Sequence, residues 1–273
     1  MGTQDPLVHI EAATLAGGDN NQDRYAYGDG WAFVLDGASS FSDVPPVHDG
    51  GWYAERLRNA LTVGLATGQQ TTTPQIVGRA IRMASADHDE HKQGPCPNST
   101  IALARWDSQW LDLYALGDSS IFCATKSGIL EVTDHRINSV GIDVRRKYAQ
   151  RLRTGSGFDE HHRELLAELQ QKQLSLRNKN DGYWIAGSQP EAARVAEARR
   201  LCRSDVKSLI LNTDGVPSET ARNLLENGAA MEGLQEVLRR LHGHEERDPN
   251  GVQVPRGKVH DDKTMVSVEF MTV

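Results

Sequence analysis

Trp31-Ala32-Phe33-Val34-Leu35-Asp36-Gly37 and Leu209-Ile210-Leu211-Asn212-Thr213-Asp214-Gly215 share one plan: an apolar run that ends in aspartate followed by glycine. Short unbroken apolar runs of this kind read as strands buried on both faces. An anionic carboxylate at the mouth of such a strand is costly unless a cation or strong donors meet it. The chain has five Asp-Gly pairs, and Asp29-Gly30, Asp49-Gly50 and Asp181-Gly182 read as turns, because Gly supplies positive φ and Asp bonds its own backbone. Asp36 and Asp214 differ in ending a buried run. Asp118 closes the run over 113–116, Asp261 precedes the final strand, and Asp23 opens a strand over 24–27. Hard oxygen donors on rigid strand ends, with no cysteine and few histidines nearby, are the set that Mg²⁺ or Mn²⁺ selects over Zn²⁺.

Outward from these runs, the Gly28-Asp29-Gly30 turn joins strands over 24–27 and 31–35 into a hairpin. Residues 7–13 read as another strand. Helical patterns cover 51–66 and 74–92, the second with Thr73 as N-cap and Pro74 at its first position. Strands return over 100–105, 110–116, 120–125 and 129–133, a succession without intervening helices that predicts a meander and a mainly antiparallel sheet. Residues 144–177 read as polar helix, 183–186 as a short apolar piece, 206–211 as a strand, 218–226 and 231–242 as helices, 244–258 as a polar loop, and 265–271 as the last strand. No internal repeat or composition break is present, so the expectation is one α+β domain over residues 1–273.

The 273 residues include 38% hydrophobic and 25% charged ones, enough for a sizeable core and unlike a disordered chain. Lys plus Arg is 30 against 37 Asp plus Glu, a net charge of −7 that speaks against a general nucleic-acid binder. No apolar stretch approaches the roughly 18 residues of a membrane helix, and residues 1–14 lack a basic start followed by an apolar core. The expectation is a cytoplasmic protein with no membrane partner. Cys96, Cys123 and Cys202 form no CxxC pair and are expected to be buried thiols. His88 with His91, and His242 with His244, are expected to be exposed; His48 is the histidine best placed to face the Asp36 loop; Trp52 and Tyr53 are expected in the core.

The ordered set Asn21-Gln22-Asp23, Val34-Leu35-Asp36-Gly37, Asn98-Ser99-Thr100, Leu116-Gly117-Asp118-Ser119, Asn212-Thr213-Asp214-Gly215 and His260-Asp261-Asp262-Lys263-Thr264 resembles the motifs of the metal-dependent protein serine/threonine phosphatases of type 2C, over about residues 7 to 272. The resemblance implies a four-layer α-β-β-α sandwich of two mainly antiparallel sheets flanked by helix pairs, with a two-metal site between the sheets. It implies Mn²⁺ or Mg²⁺ as cofactor, two core ions and a possible third. Asp36 would bridge the pair, the Gly37 carbonyl would bind one ion, Asp214 and Asp261 would hold the other, and Asp118 with Asp214 a further one. Asp23 would orient the attacking water, which makes Asp23 and Asp36 the catalytic residues. The implied activity is hydrolysis of phosphoserine or phosphothreonine in proteins, with no serine or cysteine nucleophile. Thr100, Ser119 and Thr264 are then strand-packing or turn residues.

Three positions depart from that pattern. Residues 15–20 contain no arginine where the family carries one to grip phosphate, Ala38 stands where eukaryotic members have a proton-donating histidine, and Gln22 stands where they often have glutamate. Arg256 and Lys258, just ahead of Asp261, are the candidate replacements for the phosphate grip. The absent arginine leaves a second enzyme reading, a phosphatase of a small phosphorylated metabolite. The non-enzyme reading is a catalytically weak regulatory or binding module on the same fold, against which the retained Asp36, Asp214 and Asp261 stand. Between residues 143 and 179 there are nine basic and five acidic side chains. The resemblance places a flap there, so a basic helical insertion at about 143–180 is expected beside the site, able to steer phosphorylated substrate. The sequence leaves the oligomeric state open.

Overall fold

A computed structural model describes residues 8–38, 47–68, 70–227 and 233–271. Leu7 and Met231, with which two expected elements begin, lie outside the described residues. In chain order the strands and helices are β1 (Val8–Leu15), β2 (Arg24–Gly28), β3 (Trp31–Leu35), β4 (Gly37–Ala38), α1 (Gly50–Thr67), α2 (Thr73–Ser85), α3 (Glu90–Gln93), β5 (Asn98–Ser99), β6 (Ile101–Trp106), β7 (Trp110–Leu116), β8 (Ser120–Thr125), β9 (Gly128–Val132), α4 (Arg136–Ser139), α5 (Ile142–Arg153), α6 (Glu160–Leu176), β10 (Glu197–Cys202), β11 (Val206–Asn212), α7 (Ser218–Asn227), α8 (Leu234–Glu246) and β12 (Lys263–Phe270). They form one sheet in the order β1-β12-β11-β8-β9 and a second in the order β10-β7-β6-β3-β2, with antiparallel pairing throughout.

The layering follows from strand alternation. On β3, Trp31, Phe33 and Leu35 point to one face and pack with Tyr53, Leu57 and Leu61 of α1 and Ile76, Val77 and Ile81 of α2. Ala32 and Val34 point to the other face, where with Ala102, Ala104 and Ala115 they meet Ile121, Leu209, Leu211, Val266 and Val268 of the opposite sheet. The outer face of that sheet presents Phe122, Ile210 and Met265 to Ala221 of α7 and to Leu234, Val237 and Leu238 of α8. Three apolar layers thus hold four layers of secondary structure, helix pair, sheet, sheet, helix pair. Among the described residues no helix is long and apolar enough to cross a membrane.

Several local expectations are corrected. The meander expected over 100–133 is two hairpins in different sheets, β6-β7 and β8-β9, because the Gly117-Asp118 turn carries the chain from one sheet to the other. The helix expected over 74–92 stops at Ser85, and α3 starts afresh with Asp89 accepting from the His91 amide; Thr72, not Thr73, is the N-cap of α2. The polar helix expected over 144–177 is two helices, because Gly155 and Gly157 adopt positive φ in the Thr154-Gly155-Ser156-Gly157 turn between α5 and α6. Strand β10 has no counterpart in the sequence reading: it is an edge strand, largely exposed, whose charged Glu197, Arg199 and Arg200 hide the alternation. Cys202 ends that edge and is exposed, whereas Cys96 and Cys123 are buried.

The alanines at the sheet interface fix how closely the two sheets approach. Ala102→Leu adds three carbons to a fully buried position and is expected to lower stability by about 1–3 kcal/mol or more through overpacking. Urea unfolding checks this, and an unchanged midpoint would show that the interface has slack.

Candidate metal and phosphate site

Asp23, Asp36, Asp118, Asp214 and Asp261 come from five separated segments on both sheets, yet their charges act on one another. Asp36, at the exit of β3, is pushed well above the usual carboxylate range by desolvation and then by Asp214, Asp23, Asp261 and Asp118. Asp214, just beyond β11, is raised to about 8 by desolvation and then by Asp261 and Asp118, against the pull of Lys258. Asp23, ahead of β2, is raised to about 7, chiefly by burial, with Asp262 and Asp261 adding to it and Thr213 and Thr264 opposing. Asp118, between β7 and β8, is raised by desolvation, with Arg145 among the opposing groups and Asp134 and Asp261 among the reinforcing ones. Carboxylates crowded to this degree hold a divalent cation or share protons. Their all-oxygen character fits Mg²⁺ or Mn²⁺.

Neutral donors pin the cluster in place. The Thr100 amide donates to the Asp36 carbonyl (3.0 Å), and the Asp36 amide donates to Thr100 Oγ1 (3.2 Å). Thr213 Oγ1 donates to Asp23 Oδ2 (2.7 Å) and accepts from the Thr264 amide (3.0 Å), so one hydroxyl ties the start of β2 to the β11 and β12 ends of the other sheet. The hydroxyls of Thr14 and Thr264 meet at 2.8 Å, and Asn21 donates to Thr14 Oγ1 (2.7 Å). Gly37 and Gly215 admit no side chain: a Cβ on Gly37 would collide with the carbonyls of Gly50 and Gln22, and one on Gly215 with the Asp262 carbonyl. Each glycine lets two backbone segments touch beside the aspartate that precedes it.

Asp262 has a role that the sequence reading did not assign. Its carboxylate accepts from the amides of Gly17 (2.8 Å) and Gln22 (2.7 Å), clamping the loop that delivers Asp23. No local signal marks it, since both donors lie some 240 residues away in the chain. Lys263 was equally invisible: it is fully buried and donates to Glu245 Oε2 (2.7 Å) and to the Asp261 carbonyl (2.8 Å).

The two candidate phosphate cations separate. The Arg256 guanidinium donates to the carbonyls of Val259, Val254, Glu245 and Asp248 and to Asp248 Oδ2, which uses every nitrogen it has inside its own loop. Lys258 instead bonds Asp261 Oδ1 (2.7 Å); desolvation works against its charge, but Asp261, Asp36 and Asp214 outweigh that and raise its pKa. His48 is engaged elsewhere, stacked on Trp52 (3.7 Å between centroids) with its Nδ1 3.3 Å from His88 Nδ1. His88 is therefore not an exposed histidine as expected, and neither is His242, which stacks on His260 (4.1 Å); His91 and His244 are exposed.

Helices α5 and α6 pack on each other through Val144, Leu165 and Leu169. Lys172 pairs with Asp143 and Glu168, Arg151 with Asp159 and Arg163 with Glu160, while Arg145 stands near enough to Asp118 to lower its pKa.

No family model and no curated protein matches the sequence. Solved structures do match. The serine/threonine phosphatase PstP/Ppp of Mycobacterium tuberculosis superposes with a TM-score of 0.57 at 14% identity, over 97% of this chain and 99% of that one. The serine/threonine phosphatase Stp1 of Staphylococcus aureus gives 0.56 at 14% identity over 100% and 97%, and PppA, a regulatory component of the type VI secretion system of Pseudomonas aeruginosa, gives 0.56 at 14% over 98% and 100%. The chain has the type 2C phosphatase fold. One PstP structure of that fold contains two manganese ions, at 14% identity to this chain.

With this fold and free of cations, the aspartate cluster opposes folding once ionised. Because the folded pKa values lie above the ordinary 3.8, at about 7 for Asp23 and about 8 for Asp214, the penalty is absent below about pH 4 and complete above about pH 8. In chelator, the melting temperature is therefore expected to fall across that window, and Asp36→Asn to flatten the fall. Mn²⁺ is expected to raise the melting temperature more at pH 8 than at pH 6, with proton release measurable by calorimetry in buffers of different ionisation enthalpy. A Mn²⁺ effect independent of pH would contradict a cluster that shares protons.

Proposed function

We propose that the protein is a Mg²⁺- or Mn²⁺-dependent phosphomonoester hydrolase that removes phosphate from phosphoserine or phosphothreonine in proteins, in the cytoplasm. The observation that carries this reading is the convergence of Asp118, Asp214 and Asp261 on Asp36, whose pKa all three raise, on a type 2C fold. Asp36 and the Gly37 carbonyl, with Asp214 and Asp261, would hold a pair of cations, and Asp118 a further one. When bound, such a pair supplies a nucleophile from water at neutral pH and neutralises charge on the transferring phosphoryl group. Asp23, steadied by Thr213, orients the attacking water and accepts its proton. Lys258 replaces the absent arginine, as a point charge able to donate to a phosphoryl oxygen; the occupied guanidinium of Arg256 argues for a structural part instead.

An open groove of about 510 Å³ between α5 and Pro255, lined by Arg145, Arg146, Arg153 and Tyr148, favours a polypeptide substrate over a small metabolite. Pro255 leads into the loop that carries Lys258, and Arg145 stands by Asp118, so the groove runs beside the cluster. A basic groove of this kind attracts the anionic substrate before chemistry begins.

The protein is expected to hydrolyse an aryl phosphate and a phosphothreonine peptide only with Mn²⁺ or Mg²⁺, and Asp36→Asn, Asp214→Asn and Asp261→Asn each to reduce the rate by on the order of 10²-fold or more. Full activity in chelator would overturn the reading, and faster turnover of sugar or nucleotide phosphates than of phosphopeptides would move the substrate to the metabolite class. Asp118→Ala is expected to keep two bound ions while losing turnover.

Lys258→Ala is expected to raise KM roughly tenfold, the loss of one charge-assisted hydrogen bond, whereas Arg256→Ala lowers the melting temperature with KM unchanged. An unchanged KM in Lys258→Ala would leave the phosphate grip to another group.

A further inference from the structure

A second set of ligating side chains lies behind the aspartate cluster, on the α8 side of the β12 sheet. His242 and Glu245 are one turn apart on α8, and His260 faces them from the loop ahead of β12. One ligand atom from each of the three lies within 4.8 Å of the others. The imidazoles of His242 and His260 stack at 4.1 Å with 21° between their planes, an arrangement that brings Nδ1 of both rings to the same carboxylate oxygen. Glu245 Oε2 is 3.0 Å from His260 Nδ1 and 4.0 Å from His242 Nδ1. His242 Nδ1 is shielded from solvent and has no hydrogen-bond partner, the kind of buried polar atom that native structures almost always satisfy.

The chemistry of this set differs from that of the aspartates. Two imidazoles and one carboxylate suit a late first-row divalent cation rather than Mg²⁺. His242 is kept in the neutral, ligating form by desolvation, then by His260 and Lys263, with Glu245 and Glu246 opposing. Glu246 Oε1 lies 3.9 Å from the other nitrogen of the His242 ring, beyond hydrogen-bond distance. One charge stands against a cation: Lys263 Nζ donates to the same Glu245 Oε2 and also to the Asp261 carbonyl.

We propose that His242, Glu245 and His260 form a binding site for one Zn²⁺ ion, separate from the aspartate cluster and joined to it by Lys263. The ion takes the place of the hydrogen bond between His260 Nδ1 and Glu245 Oε2, the His260 proton residing on Nε2, and gives His242 Nδ1 the partner it lacks. It also takes up the oxygen that Lys263 shares, and Lys263 then has only the Asp261 carbonyl to hold. The coupling through Lys263 rests on Asp261 being a ligand of the aspartate cluster; the Zn²⁺ site itself does not. By linkage, Zn²⁺ behind the sheet and Mn²⁺ at Asp261 alter each other's affinity by one and the same factor.

The test uses the full chain with Asp36→Asn and Asp214→Asn, which empties the aspartate cluster and removes two mutually repelling charges. Isothermal titration with Zn²⁺ is expected to give one ion per chain, and Co²⁺ is expected to give the visible absorption of a tetrahedral, nitrogen-ligated ion. Adding His242→Ala, a change to a strong helix former, is expected to weaken Zn²⁺ at least tenfold while the circular dichroism spectrum stays the same. Absence of stoichiometric binding in the parent double variant, or equal affinity after His242→Ala, overturns the site. The coupling is read separately, in protein with native aspartates, as Mn²⁺ affinity with and without Zn²⁺. An effect of Zn²⁺ that survives His242→Ala unchanged places it at the aspartates and rejects the link through Lys263. Failure of phosphatase activity leaves the Zn²⁺ titration unaffected, so the two readings fail independently.

Discussion

Like charges held closer than they would settle in water are the constraint around which this molecule is built. Asp214, Asp23, Asp261 and Asp118 add to the raised pKa of Asp36, Asp261 and Asp118 to that of Asp214, and Asp23 is pushed up beside them mainly by burial. Such a cluster survives only if the scaffold behind it is rigid enough to prevent the carboxylates from moving apart. Two sheets in van der Waals contact supply that rigidity, because a close-packed interface of alanine against valine, leucine and isoleucine has no soft direction. The same repulsion is what a divalent cation relieves, so the strain of the cation-free cluster and its affinity for metal are one quantity seen from two sides.

Around the charges, two hydroxyls and one further carboxylate do the positioning. Thr100 holds the backbone of Asp36, Thr213 holds the carboxylate of Asp23, and Asp262 fastens the loop that precedes Asp23 through two backbone amides. The hydroxyls bond without adding charge to a site that already has too much, whereas Asp262 adds one and helps to raise the pKa of Asp23. Where a cation is used, as with Lys258 on Asp261, it sits on the carboxylates themselves and partly offsets their repulsion. Lys263 extends the chain of contacts through the sheet to Glu245, and with it to the paired histidines on the far side.

The fold was legible from pattern to an unusual extent. Unbroken apolar runs ending in Asp-Gly identified β3 and β11, turn residues identified the four strands β6 to β9, though not that the chain changes sheet between β7 and β8, and the order of short motifs implied the four-layer sandwich that the structure has. What pattern missed had local causes. Strand β10 is an exposed, charged edge without alternation; α2 and α3, and α5 and α6, were read as continuous because a polar helix and a polar turn share composition. Arg256 and Lys258 are two residues apart and chemically alike in sequence, yet one is spent on carbonyls of its own loop and the other reaches the carboxylates.

The sequence by itself determined which residues lie at strand ends, because burial of apolar runs and the turn preference of Asp-Gly are local properties. It therefore determined which aspartates were available to meet. That they do meet, and that Asp262, Thr213 and Lys263 serve them, was decided by tertiary structure alone. Asp23 and Thr213 are 190 residues apart in the chain and 2.7 Å apart in space, and Asp262 reaches back 240 residues to Gln22. Contacts of that separation carry no local signal, since each is fixed by the register of strands in two sheets and by how closely small side chains let those sheets approach.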